Sequence, residues 1–290
     1  MIKLVPVAAL LLFPAMVASA APAATPSPPG YTMPSTHMWD MKADTGEIYR
    51  IFVSFPIEGE PPADGYPVLY VLDGNASFAS FAEARRLQEF YPVGKSIVVG
   101  VGYPTEKTYD VRRLSDLTPP LLDPPPTQWR WLAKYKSGGR KEFLDFLTGK
   151  LRTEIGKRYK IDPERQSLFG HSLGGLFGLY SLYSRPDAFH SIIAASPSIE
   201  WNDQGVLAEE REFTARLTNG KIGKTSRLMI VVGDRDVDDD PEPARALADR
   251  LDRLSGHGLR VRFTRYEKEG HMSVPARSVT DVLRFAFEIR

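Results

Sequence analysis

The stretch "QSLFGHSLGGLFGLYSLYS", residues 166–184, constrains this chain more than any other. A short apolar run leads into Gly170, Ser172 follows two positions later, and a segment of good helix character begins immediately after the serine. A chain that passes from strand to helix within a residue or two must turn sharply. Glycines on both sides, Gly170 and Gly174, suit such a turn because a Cβ there is expected to clash with neighbouring backbone. The turn lifts the serine hydroxyl above the end of a strand and sets it at a helix N-terminus. G-x-S-x-G alone is a weak pattern, so the flanking strand and helix carry the inference.

The rest of the chain repeats the same alternation. "HMWDMKADTGEIYRIFVSFP" (37–56) reads as two strands joined around Thr45-Gly46, and "YPVLYVLDG" (66–74) and "SIVVGVGYP" (96–104) read as buried strands. Helical spacing occupies 75–91 and 141–159, where Phe143, Phe146, Leu147, Leu151 and Ile155 share one face. Further strands are expected at 190–198, 227–234 and 259–266, with helices near 204–217, 240–255 and 274–288; Asp240 can cap the second of these and Pro241 suits its first position. Alternation of this kind predicts an α/β fold: a mostly parallel sheet with helices on both faces and an antiparallel N-terminal edge. Residues 119–140, "PPLLDPPPTQWRWLAKYKSGGR", interrupt it and read as an insertion or lid-like loop over one end of the sheet.

With 290 residues the chain can bury a full core in one domain. Its net charge of +1 argues against a nucleic-acid partner, which usually requires a strong basic excess. The N-terminus has the plan of an export signal: Lys3, an apolar run, and the small-residue site "ASA" ending at Ala20. The run is shorter than the ~20 residues of a membrane span, so no permanent membrane anchor is expected. Residues 21–35 are then a flexible Pro/Ala-rich lead into a domain spanning 36–290, and the mature protein is expected in the periplasm or outside the cell. The absence of cysteine excludes disulfides, thiol catalysis and a lipoprotein anchor.

A serine nucleophile needs a base, because its hydroxyl is weakly nucleophilic at neutral pH. Of the five histidines, His171 adjoins Ser172 and should point away from it; His37 lies in the first hairpin; His190 begins a strand whose apolar part follows it; and His257 lies between the last crossover helix and the last strand, at the end of the sheet away from the serine. His271, in "YEKEGHMS", follows the last strand and emerges at the serine's end, which makes it the expected base. An acid that orients the imidazole should follow the penultimate strand, in "VVGDRDVDDDPEPAR": Asp236, with Asp234 as the alternative. The same run starts like a calcium loop, but the required glycine is Asp239 and the bidentate glutamate position is Arg245, so no metal is expected there. An oxyanion hole should draw one amide from Leu173 and another from the loop "VLDGNASF", where Asn75 is favoured over Gly74.

"PVLYVLDGNASF", "GHSLGGLF", "SPSIEW", the late "EGH" and "RRLSDLTPP", with Arg113, Asp116, Thr118 and Pro119 in register, together resemble the esterase-D-like α/β-hydrolases. Within them the chain resembles the branch that includes the siderophore (ferric-enterobactin) esterases, over about residues 36–290. The resemblance implies the α/β-hydrolase fold, a serine esterase needing no cofactor, and a small-molecule ester or lactone substrate, a ferric catecholate siderophore such as enterobactin. Such a ligand is bulky, aromatic and anionic, and Arg113, Trp129 and Arg130, with Trp131, Lys134 and Lys136 nearby, could bind it. A short-chain carboxylesterase or acyltransferase of the same fold is the alternative, and a non-catalytic binding scaffold a further one. The chain departs from the family at Leu117, where an aromatic often follows the aspartate.

Overall fold

Short apolar runs too brief for a helix satisfy their backbone here by lying between two neighbours in a sheet. The computed structural model describes residues 30–236 and 241–287, and the described residues from Ser35 onward form one compact unit. The strands are β1 (Thr36–Lys42), β2 (Ile48–Ser54), β3 (Tyr66–Leu72), β4 (Ile97–Gly102), β5 (Ile161–His171), β6 (Ser191–Ala195), β7 (Arg227–Gly233) and β8 (Val261–Tyr266). They form one sheet in the order β1-β2-β4-β3-β5-β6-β7-β8. β1 and β2 pair antiparallel, as do β2 and β4, and every other pairing is parallel. This is the mostly parallel sheet with an antiparallel N-terminal edge that the alternation predicts. β4, β6 and β7 are buried at every position, as strands covered on both faces must be.

The helices among the described residues are α1 (Gly74–Leu87), α2 (Arg113–Leu117), α3 (Arg140–Phe146), α4 (Arg152–Arg158), α5 (Leu173–Ser184), α6 (Trp201–Gln204), α7 (Val206–Thr218), α8 (Pro241–Asp252) and α9 (Val274–Phe287). A π-helical turn, Leu147–Leu151, joins α3 to α4 where the periodicity predicts one continuous helix. Successive residues of β5 show the two covered faces. Phe169 packs against Phe81 of α1, with ring centroids 4.7 Å apart, whereas Leu168 belongs to the core cluster that includes Phe177 of α5. α9 lies on the Phe169 face, where Ser167 Oγ donates to Ala286 O at 3.3 Å. Among the described residues no helix is long and apolar enough to cross a membrane.

The short helices α2 and α6 and a 3₁₀ turn over Thr127–Leu132 fall in segments where the sequence reading found no regular element. Each is too short to display a helical period. Segment 119–140 is tied down rather than merely draped over the sheet. Leu121 N donates to Ser137 Oγ at 2.9 Å, Asn202 Nδ2 to Pro120 O at 2.7 Å, and Leu122 N to Asn202 Oδ1 at 3.3 Å. The expected signal at 1–20, most of the lead segment that follows it, the cap at Asp240 and the position of Asp239 lie outside the described residues.

One buried charge anchors the antiparallel edge. Arg85 of α1 is fully buried, and its guanidinium donates to Ser54 Oγ (3.0 Å), Phe55 O (3.1 Å) and Glu89 Oε2 (3.0 Å). Burial alone pushes its pKa down, and Glu89 opposes that shift. Truncating Arg85 strands these acceptors, so Arg85→Ala is expected to lower unfolding free energy by roughly 3–5 kcal/mol, read by urea denaturation followed by circular dichroism.

Candidate active site

Ser172 is the N-cap of α5 and carries φ +59, ψ −118, a left-handed backbone at a non-glycine residue. The turn is held by Ser172 N donating to Ala195 O at 2.9 Å and by Ser198 N donating to Ser172 O at 3.2 Å. A Cβ at Gly170 would fall on the carbonyl of Gly174, so that glycine is required. The expectation for Gly174 needs correction. A Cβ there would meet its nearest neighbours, Asp73 Oδ2 and Leu72, at an ordinary 3.7 Å. The second required glycine is Gly175, whose Cβ would approach Pro197 Cα to 2.9 Å and Ala195 O to 3.0 Å. It lets the first turn of α5 settle on the β6 loop.

His271 lies on the loop after β8, and the loop after β7 lies against it. Gly233 makes this possible, since a Cβ there would collide with Glu269 O. Arg235 N donates to Glu269 O at 3.0 Å and Asp234 N to Tyr266 O at 3.0 Å, which ties the two loops together. Asp236, only 4% exposed, accepts from His271 Nδ1 on Oδ1 at 2.9 Å and from Ser196 Oγ on Oδ2 at 2.6 Å. Of the two acids that the sequence offers, Asp236 is the one brought to the imidazole. Asp234 Oδ1 has no hydrogen-bond partner among the described residues.

His171 supports the same loop from below. It is buried, and its Nε2–H donates to the carbonyl of His271 at 2.9 Å, with the two rings 4.6 Å apart. Burial, with His271 and Arg113 adding to it, pushes the His171 pKa down to about 3, so this ring is neutral throughout the working range. His37, by contrast, bonds Tyr159 Oη at 2.9 Å, and His257 ends a 3₁₀ turn on the far side of β8.

Ser172 and His271 line one cavity of about 800 Å³. Its remaining walls come mainly from three places: the α2 approach (Tyr109, Asp110, Val111, Arg113, Leu114), the insertion (Gln128, Trp129, Trp131, Leu132, Tyr135) and the β6 loop (Ser198, Glu200, Trp201). Ser198 Oγ sits 3.3 Å from Ser172 Oγ. Trp129 packs against the buried Trp201, with ring centroids 5.2 Å apart and the rings tilted by 40°. Leu173 lines the cavity, and as the first residue of α5 it has an amide that the helix itself leaves unpaired. Asn75 is not a lining residue. Its amide lies in the first turn of α1, while its side chain accepts from Tyr103 N (2.8 Å) and donates to Tyr103 O (3.0 Å) and Thr105 O (2.8 Å).

The residues expected to bind substrate divide. Trp129 and Arg113 line the cavity, but Arg130 is exposed and does not. Arg113 is also more committed than its sequence suggests: Nε and Nη2 each donate to the buried Asp73 carboxylate at 2.9 Å, and its guanidinium lies 5.2 Å from the Tyr109 ring centre. Burial works against this charge and Asp73 outweighs it, raising the Arg113 pKa. The sequence reading missed Ser196, Ser198 and Tyr109 as site residues, and it left Glu200 and Trp201 inside "SPSIEW" without a role. The position of these last residues just beyond the carboxyl end of β6 was the available signal.

Gly170→Ala is expected to lower the melting temperature by roughly 5–10 °C, whereas Gly174→Ala should leave it nearly unchanged; differential scanning calorimetry distinguishes them.

Comparison with known proteins identifies relatives of the chain. A family model described as "Putative esterase" matches residues 17–259. The ferri-bacillibactin esterase BesA of Bacillus subtilis (strain 168) is 37% identical over 268 residues, 88% of this chain and 91% of the relative. The BES protein from Bacillus cereus superposes with a TM-score of 0.81 at 34% identity, over 91% of this chain and 99% of that one. The enterobactin hydrolase IroE, solved in complex with DFP, superposes with a TM-score of 0.64 at 26% identity, over 88% of this chain and 95% of that one.

Proposed function

The chain belongs to the esterase family and is a serine hydrolase of carboxylic esters, and on that premise we propose that it cleaves the ester or lactone bonds of a catecholate siderophore, with Ser172 as nucleophile, His271 as base and Asp236 as the orienting acid. The observation that carries the residue assignment is the 2.9 Å bond between His271 Nδ1 and Asp236 Oδ1, on loops beside the cavity that Ser172 enters from its strained turn. The substrate class is supported by the names of the relatives, ferri-bacillibactin esterase and enterobactin hydrolase. It is supported too by a cavity whose walls carry Trp129, Trp131, Trp201, Tyr109 and Tyr135, large enough for aromatic acyl groups.

In this reading His271 Nε2 takes the Ser172 proton as Oγ bonds the ester carbonyl carbon. The amide of Leu173 receives the oxyanion, and Asp236 stabilises the imidazolium. Collapse breaks the C–O bond, and His271 returns the proton to the departing alcohol, leaving an acyl-Ser172. A water that gives its proton to His271 then attacks the acyl carbon, releasing the acid and restoring the serine. The reaction consumes one water per ester and draws on no group outside the chain. Arg113 would contribute its Nη1, which has no hydrogen-bond partner among the described residues, to an acceptor on the substrate. Under the same proposal residues 1–20 direct export and are removed, which Lys3, the apolar run and "ASA" support. The enzyme would then act on siderophore in the periplasm or outside the cell.

A fluorophosphonate probe should label the wild-type protein and not Ser172→Ala, and that substitution should cost on the order of 10⁴-fold or more in kcat. Mass spectrometry of products from a ferric and an iron-free catecholate trilactone, beside a p-nitrophenyl short-chain ester, tests the substrate. Preference for a trilactone by about 100-fold or more in kcat/KM is expected. Parity with the plain ester would identify a general carboxylesterase instead.

A further inference from the structure

Asp236 has two carboxylate oxygens, and only Oδ1 meets His271. The other, Oδ2, accepts a 2.6 Å hydrogen bond from Ser196 Oγ. Ser196 stands one residue beyond β6, is 1% exposed, and holds φ +39, in the left-handed region that glycine enters freely and other residues resist. Its backbone N–H donates to Val231 O at 2.7 Å, which fixes it against β7 just upstream of the Asp236 loop. A serine kept buried at a backbone conformation that favours glycine points to a use for its side chain, and the short bond to Asp236 is the use on view.

We infer that Ser196 is a positioning residue for ester hydrolysis: its hydroxyl holds Oδ2 so that Oδ1 is presented to His271 Nδ1. The inference rests on the proposed role of Asp236. A carboxylate with one oxygen ungripped can rotate about its Cβ–Cγ bond, and the imidazole then loses its orienting partner in part of the population.

Ser196→Gly and Ser196→Ala separate this role from simple support of the fold. Both remove the hydroxyl, but glycine relieves the positive φ and alanine keeps it, so their melting temperatures should differ, with glycine the higher. Both should nevertheless lower kcat by roughly 10- to 100-fold, the loss expected for one hydrogen bond to a charged group, with KM within about twofold. Unchanged kinetics in either variant, or losses that follow melting temperature, would overturn the inference. Asp236→Asn measured alongside distinguishes the two levels. Wild-type activity in that variant overturns the triad reading itself, whereas a defective Asp236→Asn beside a normal Ser196→Gly overturns only the role of Ser196.

Discussion

The close approach of α5 to the end of β5 is the constraint on which the carboxyl end of the sheet depends. Where Gly170 lacks a Cβ, the Gly174 carbonyl fills the space, and the chain reverses direction within one residue. That residue is Ser172, held at φ +59 at a cost of roughly 1–3 kcal/mol that the surrounding packing must supply. The packing is visible: Gly175 seats the first turn of α5 on Pro197 and Ala195, and Ser172 N is bonded to Ala195 O. Strain, exposure of the hydroxyl and a free helix N-terminus beside it are thus one feature. A residue that relaxed the turn would remove all three.

A second set of close approaches brings the distant histidine to that turn. Gly233 allows the loop after β7 to touch Glu269, and the backbone bond from Arg235 to Glu269 joins the two loops that carry Asp236 and His271. His171, the residue directly before Ser172, then bonds the carbonyl of His271 itself. Burial keeps this ring neutral with its pKa near 3, so it can act as a fixed donor whose bond does not change as His271 gains and loses a proton. The elbow therefore contributes to the site twice, once through the serine and once through the neighbour that seats the proposed base.

Topology explains which parts of this were legible in the sequence. Strand direction follows from alternation, and in a parallel sheet all loops after strands emerge together, so Ser172, Asp236 and His271 could be brought to one end by chain order alone. What stayed hidden were contacts between loops. Nothing in "RRLSDL" shows that Arg113 would be matched to Asp73 some forty positions earlier, and nothing in "AASPSI" shows that Ser196 would meet Asp236. Asn75 is a related case. Its place after β3 was readable, but the engagement of its side chain with Tyr103 and Thr105 depends on the parallel pairing of β3 with β4. Glycine roles were half legible for the same reason: Gly174 sits in the motif, yet Gly175 makes the tight contact, with a loop about twenty residues on.

The basic, aromatic insertion shows how composition and placement can part company. Its aromatic members Trp129, Trp131 and Tyr135 line the cavity, while Arg130, Lys134 and Lys136 do not. The arginine that does line it, Arg113, has its charge matched by Asp73. Exposed cations outside a cavity act over about a Debye length, ~8 Å at physiological ionic strength, and they affect the encounter with an anionic ligand more than its bound state. Under the proposed function the aromatic walls would therefore supply most of the holding energy through buried ring surface, and the cations would act on the approach. Such a division makes binding tolerant of salt and association sensitive to it, which is the opposite of what a charge-lined cavity would give.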